Sequence, residues 1–263
     1  MPTTFTHDKF GRDVYQRLPK NIRAVIRENK DAYLLGLQGP DIFFYYYPFI
    51  KNKVFRLGLN MHKEESFSFF ENAIREYKRK TSGAILAYLL GFACHFMLDS
   101  TCHPFIYDYQ KRHNLMHSEI EACLDKYEML SCGINPYKYQ PSSSVRLPVA
   151  TTELLRLFPT IGKRQWKGSI KGLKFFTNLC VLSNIYQRKM VLWLFRGSRL
   201  AKELRGRCIM DSDKEACLEA VRLLMRIYYK EAVKETPDIL VNLYECAVSD
   251  HSLSQRFKRN YNE

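Results

Sequence analysis

SGAILAYLLGFACHFMLDSTCHP, residues 82–104, is the stretch whose reading decides the fold. Between Lys80 and Asp99 lie 18 residues without a formal charge, which just reaches the ~18 needed to span a bilayer. His95 interrupts that run and Asp99 closes it, and a carboxylate near a bilayer core is costly. The stretch therefore reads as a central helix buried by its neighbours. It carries His95, Asp99 and His103, and His117 and Glu121 follow with the same spacing of four. Four residues is about one helical turn, so each group aims its imidazoles and carboxylates at a common point. Both are ligand types for zinc, and ionisable groups on an apolar helix need partners. Two such helices face to face would enclose a multinuclear metal site.

Outward from that helix, nearly every periodic stretch is helical. Residues 11–29 are amphipathic around Pro19, and 64–80 set Phe67, Phe70, Ala73 and Ile74 among charges. Pro104 is expected to leave His103 at the C-terminal edge of its helix, because a residue before proline avoids the α region. Asn114 is expected to cap a helix running to about Leu130. Residues 131–149, rich in Gly, Pro and Ser, read as a connecting loop. Helices are expected again at about 165–195, 198–206, 212–235 and 237–247. Ser212 and Glu215 form a capping box, and Pro237 stands at a first helical position. No alternating strand pattern or internal repeat is present. The expectation is a single all-α domain over 1–263, with a metal-binding catalytic half (1–130) and a basic helical half (150–263) joined by loop 131–149.

The net charge of +14 is unevenly spread. Residues 151–200 hold ten Lys or Arg against the single acid Glu153. Such a block favours anionic partners, either a membrane surface met peripherally through 151–207 or, second, nucleic acid; a solvated helix face is the plain alternative. The eight cysteines show no paired spacing, and the N-terminus lacks the layout of a secretory signal. Reduced thiols and a cytoplasmic protein, peripheral at the inner membrane face at most, are expected.

Several motifs resemble the zinc-dependent phospholipase C family over roughly residues 2–128. They are Thr6-His7-x-x-Phe10-Gly11, Gln38-Gly39-Pro40-Asp41, Met61-His62, Ala87 to Gly91, His95 to Pro104, and His117-x-x-Ile120-Glu121. The resemblance implies an all-helical fold holding up to three zinc ions in one cleft. It implies Asp41, His62, His95 and Asp99 around one ion, and His103, His117 and Glu121 around a second. His7 would bind a third, with Asp99 as a bridge. In secreted members the mature first residue completes that third site; here Pro2, exposed if Met1 is removed, is the candidate substitute. The resemblance also assigns Asp41 as general base.

The ligand types fit phosphodiester hydrolysis, since paired zinc ions clamp phosphoryl oxygens and make water a nucleophile near neutral pH. Phospholipid cleavage leads. A nuclease or phosphatase of the same fold, with Trp166, Phe175, Phe176 and Trp193 as stacking candidates, is the alternative; a non-catalytic zinc-stabilised protein is the third. The run Phe43 to Tyr47 either walls a head-group pocket by cation–π contact or serves as core. His113 stays outside the ligand set, Asp125 is expected to orient a histidine, and Cys94 and Cys102 fit as small buried residues.

Overall fold

Ser82 starts the central helix: its hydroxyl accepts the N–H of Ile85 at 3.3 Å, satisfying one of the free donors at a helix start. From there α6 runs from Gly83 to His113, 31 residues, about 46 Å at the usual rise. Every residue from Ala84 to Ser100 is buried. Of the described residues, only this helix is long and apolar enough to cross a membrane, and here the rest of the fold encloses it. The structure is a computed structural model and describes residues 4–179, 181, 184–194 and 215–262.

The other helices wrap α6: α1 (Thr4–Tyr15), α2 (Lys20–Glu28), α3 (Lys30–Gly36), α4 (Lys53–Lys63), α5 (Phe67–Arg79) and α7 (His117–Ser131). A 3₁₀ segment, Gly39–Tyr45, links α3 towards α4. Then come a short α8 (Thr151–Leu154), α9 (Lys163–Leu179), α10 (Ile185–Leu194), α11 (Glu215–Leu223) and α12 (Lys230–Val248), with a π-helical turn at Leu224–Tyr229 between the last two. Among the described residues there is no strand, and the fold is all-α. Helices α3 and α6 pack backbone against backbone. A Cβ on Gly91 would meet the Tyr33 carbonyl at 2.2 Å, and one on Gly36 the Tyr88 carbonyl at 2.3 Å. One apolar cluster runs from Phe10 through α6 to Phe257 and Tyr261, so residues from both halves of the chain share it.

Several expectations are corrected. Helix α6 does not stop at His103 but continues through Pro104 for nine more residues. Ile106 and Tyr109, buried on that extension, outweigh the missing hydrogen bond and the local clash of an interior proline. Asn114 ends α6 in the left-handed region at φ 51° instead of starting α7. The next helix begins at His117, where Glu119 Oε2 accepts the Met116 N–H at 2.8 Å. The first amphipathic stretch begins earlier, at Thr4, and Pro19 divides it into α1 and α2. Pro237 lies inside α12, not at its start; the neighbouring Thr236 hydroxyl donates to the Ala232 carbonyl at 2.6 Å. The expected helix at 165–195 is two, α9 and α10. The expected helix at 198–206 and the Ser212 cap lie outside the described residues.

Candidate metal centre

Three helices, one helix end and one 3₁₀ segment bring the eight predicted residues together. His95, Asp99 and His103 lie on successive turns of α6, and His117 and Glu121 on the first turns of α7. His7 comes from α1, His62 from the last turn of α4, and Asp41 from the segment after α3. Asp99 is the hub. Its Oδ1 lies 3.2 Å from His7 Nε2 and 3.7 Å from His103 Nε2, and its Oδ2 lies 3.1 Å from His95 Nε2. Asp41 Oδ1 faces His62 Nε2 at 3.1 Å. Glu121 Oε1 lies 2.8 Å from His117 Nε2 and 3.7 Å from His103 Nε2. Three groups have ligand atoms all within 4.8 Å of one another: His7, His95 and Asp99; Asp41, His62 and His95; and His103, His117 and Glu121. His95 belongs to two of them, and Asp99 reaches His103 in the third, so the groups form one continuous cluster.

The imidazoles are oriented by their outer nitrogens. Nδ1 of His62 meets the Gly58 carbonyl at 2.7 Å, that of His95 the Leu37 carbonyl at 3.2 Å, and that of His103 the Tyr261 carbonyl at 2.9 Å. A carbonyl only accepts, so Nδ1 carries the hydrogen and Nε2 turns its lone pair inward, the arrangement of metal-binding histidines. The fit to a cation is shown by what the inner atoms lack. His95 Nε2 and Asp41 Oδ1 are buried without a hydrogen-bond partner despite carboxylate or imidazole neighbours at 3.1 Å. Lone pairs crowded at that range and aimed past one another are a buried polar cost that a shared cation removes.

Electrostatics favour the ionised carboxylates that ligation needs. Burial works to raise the carboxyls of Asp99 and Glu121, but the surrounding histidines outweigh it and hold both well below the usual carboxylate range. For Asp99 these are mainly His103, His95 and His7, and for Glu121 mainly His117. Asp41 is likewise lowered against burial by His62 and His95. Burial lowers His117, whereas at His103 the pull of Asp99 and Glu121 overcomes burial and raises it.

Gly39, in the Gln38-Gly39-Pro40-Asp41 motif, takes φ 52°, and a Cβ there would sit 2.1 Å from the His95 ring. Only glycine lets the backbone turn against the imidazole and deliver Asp41 to it. The residues kept outside the set do lie elsewhere. His113 is exposed and stacks on Tyr109 at 4.0 Å. Cys94 and Cys102 are buried, and burial pushes the Cys94 thiol up to about 12.

The expected role of Asp125 is corrected: it orients no histidine. It accepts from Thr6 Oγ1 at 2.7 Å, Thr6 N–H at 2.8 Å and Phe5 N–H at 3.3 Å, and so ties down the start of α1 one residue before His7. The C-terminal strap was not foreseen. Besides the Tyr261 carbonyl under His103, Asn262 donates to the His62 carbonyl at 3.1 Å and accepts from Tyr107 Oη at 2.9 Å. A bare backbone carbonyl has no sequence signature. The signal that was available, the aromatic Tyr261 in a polar tail, is too common to be read as a site. Pro2 lies outside the described residues.

With this geometry, the match of the family model described as zinc dependent phospholipase C, over residues 6–159, has a structural counterpart. The chain belongs to the zinc dependent phospholipase C family. The family match covers every residue of the cluster, from His7 to Glu121, and ends before α9. No curated protein and no solved structure matches the chain.

Proposed function

We propose that this family member is a zinc-dependent phosphodiester hydrolase that cleaves phospholipids in the phospholipase C manner, giving diacylglycerol and a phosphorylated head group. The observation that carries the reading is the single buried cluster in which Asp99 and His95 link all three ligand groups. Structural zinc is held in closed four-ligand sites, usually with cysteine. Here eight oxygen and nitrogen donors share one chamber, and no cysteine is among them.

Two to three zinc ions would be held, one by Asp41, His62, His95 and Asp99, a second by His103, His117 and Glu121, and a third by His7 with Asp99 bridging. Zinc so placed supplies Lewis acidity towards phosphoryl oxygens and activates water at neutral pH. The chain's own part is proton handling and placement. Asp41, kept ionised by His62 and His95, accepts the proton of the attacking water at its carboxylate. The water oxygen bonds to phosphorus as the P–O bond to glycerol breaks, and the glycerol oxygen takes up a proton equivalent to the one Asp41 received, which restores the carboxylate. His62, His95 and His103, locked by backbone carbonyls, keep the chamber's shape fixed through turnover. Phospholipid is preferred over nucleic acid as substrate on the family match.

The test is hydrolysis of phosphatidylcholine in mixed micelles beside single-stranded DNA, with metal analysis of the same preparation. At least two zinc equivalents and release of phosphocholine are expected. One zinc or none, or DNA cleavage without lipid cleavage, would overturn the proposal.

A further inference from the structure

The segment that delivers Asp41 does not end in the core. Phe43, Phe44 and Tyr45 are buried, but the chain then emerges, and Tyr47, Phe49 and Ile50 are 63%, 59% and 63% exposed. This turn is built and not frayed. Asn52 Nδ2 donates to the Tyr46 and Ile50 carbonyls, both at 2.9 Å, while its Oδ1 caps α4. The turn also lies against α9, where a Cβ on Gly172 would meet the Tyr45 carbonyl at 2.1 Å. Between turn and helix is a groove of about 560 Å³, lined by the aromatic turn, Phe176 and Arg164.

Helix α9 carries the matching face. Lys163, Lys167, Lys171, Phe175 and Leu179 follow one another at steps of four, and all five are exposed. Such a row lies along one side of a helix, basic at one end and apolar at the other. No acid occurs from residue 154 to 202, so nothing along this stretch neutralises the row. Exposed aromatic and aliphatic side chains beside exposed lysines suit the boundary between lipid head groups and acyl chains. Stacking on bases uses flat rings alone; here Ile50 and Leu179 interleave with Tyr47, Phe49 and Phe175, a mixed aliphatic and aromatic face that suits acyl chains.

Resting on the phospholipase reading, we infer that this face is a bilayer-docking surface for anionic phospholipid. Phe49, Ile50, Phe175 and Leu179 enter the interface, and Lys163, Lys167 and Lys171 pair with lipid phosphates. The 3₁₀ segment then links the docking turn to Asp41 through four residues, roughly 8 Å at its usual rise.

The test is flotation of the zinc-loaded full chain with vesicles of phosphatidylcholine alone and with 30% phosphatidylglycerol (the proportion set by the experimenter). The wild type is expected to partition onto the anionic vesicles preferentially. Lys167→Gln with Lys171→Gln should weaken that binding about thirtyfold, on the usual contribution per lysine at an anionic surface. Phe49→Ser with Ile50→Ser should lose binding to both vesicle types. Hydrolysis of soluble p-nitrophenylphosphocholine and the melting temperature should be unchanged in both variants. Wild-type-like vesicle binding by the two variants would overturn the inference. So would displacement of the chain from vesicles by single-stranded DNA, or a dimer without vesicles that both variants abolish. Binding without lipid hydrolysis would sink the phospholipase proposal alone and leave the docking face standing.

Discussion

At Asp99 one carboxylate faces three histidines, and its removal cannot be absorbed locally. Asp99→Ala is expected to lose at least half the bound zinc, whereas Asp41→Asn should keep most of it and lose turnover by 10² to 10⁴, about the contribution of a general base. Metal analysis alongside initial rates checks both; a full rate in Asp41→Asn would remove the base assignment. Gly39→Ala is expected to behave like a ligand loss although it touches no metal, because the new methyl occupies the place of the His95 ring. The same carboxylates set an acid limit on the metal-free chain. The pKa values of Asp99 and Glu121 are held well below their unfolded values, so their stabilisation is full above roughly pH 4 and is lost as pH falls through the folded values. Melting temperature measured on metal-free protein from pH 6 down to 3 should drop, and Asp99→Asn should flatten the drop. At this scale the sequence was highly legible, since histidine and carboxylate at steps of four on an apolar helix are costly to bury unless a cation gathers them. Gly58, Leu37 and Tyr261 escaped because they act through main-chain carbonyls.

Helix α1 shows how an element acquires its position from outside itself. Its first turn exposes N–H groups with no partner in the helix, and Asp125, from α7, takes those of Phe5 and Thr6. A carboxylate serving as a remote cap in this way holds His7 over His95, whose rings stack at 4.1 Å. Burial raises the Asp125 carboxyl to about 7 even against these donors, so ionising it costs the fold stability as pH rises from about 4 towards 7. Asp125→Ala should cost about 1 kcal/mol, the usual worth of a cap, and lower zinc content more than Asp125→Asn, which keeps an accepting oxygen. Thermal unfolding with zinc titration separates the two. The existence of α5, α6 and α7 is legible from their regular apolar spacing, but not the end of α6 or the start of α7. Helices were misread at Pro104 and Pro237, because a local rule about proline was set against tertiary burial that no short window contains. The irregular 3₁₀ segment at Gly39–Tyr45 has no period to detect.

On the scale of the whole molecule, the expectation is one all-α domain with a metal-binding half and a basic half, and the C-terminal strap runs from the second half back to the first. Residues 255–262 return to the metal chamber. Phe257 is fully buried against Phe70 at 4.2 Å and Phe96 at 5.5 Å. Arg256 binds Thr101 Oγ1 at 3.2 Å and Glu235 at 3.3 Å, and Ser66 donates its N–H and hydroxyl to the Arg259 carbonyl. The strap therefore joins α5, α6 and α12 while placing the Tyr261 carbonyl on His103 and Asn262 on His62. Deleting residues 255–263 removes apolar burial, the carbonyl that orients the His103 ring, and a hydrogen bond to the His62 backbone. Loss of Phe257 alone is worth about 3–5 kcal/mol, and loss of an orienting partner typically weakens metal binding 10–100-fold. These two effects can be told apart. Phe257→Ala should lower the melting temperature of metal-free and zinc-loaded protein alike. Tyr261→Phe, which keeps the ring and the carbonyl, should leave zinc affinity near wild type. The deletion should do what neither point variant does, releasing zinc at chelator concentrations that the Phe257→Ala protein withstands. If the deleted chain held zinc as tightly as the full one, the strap would be packing alone, and His103 would owe its orientation to α6.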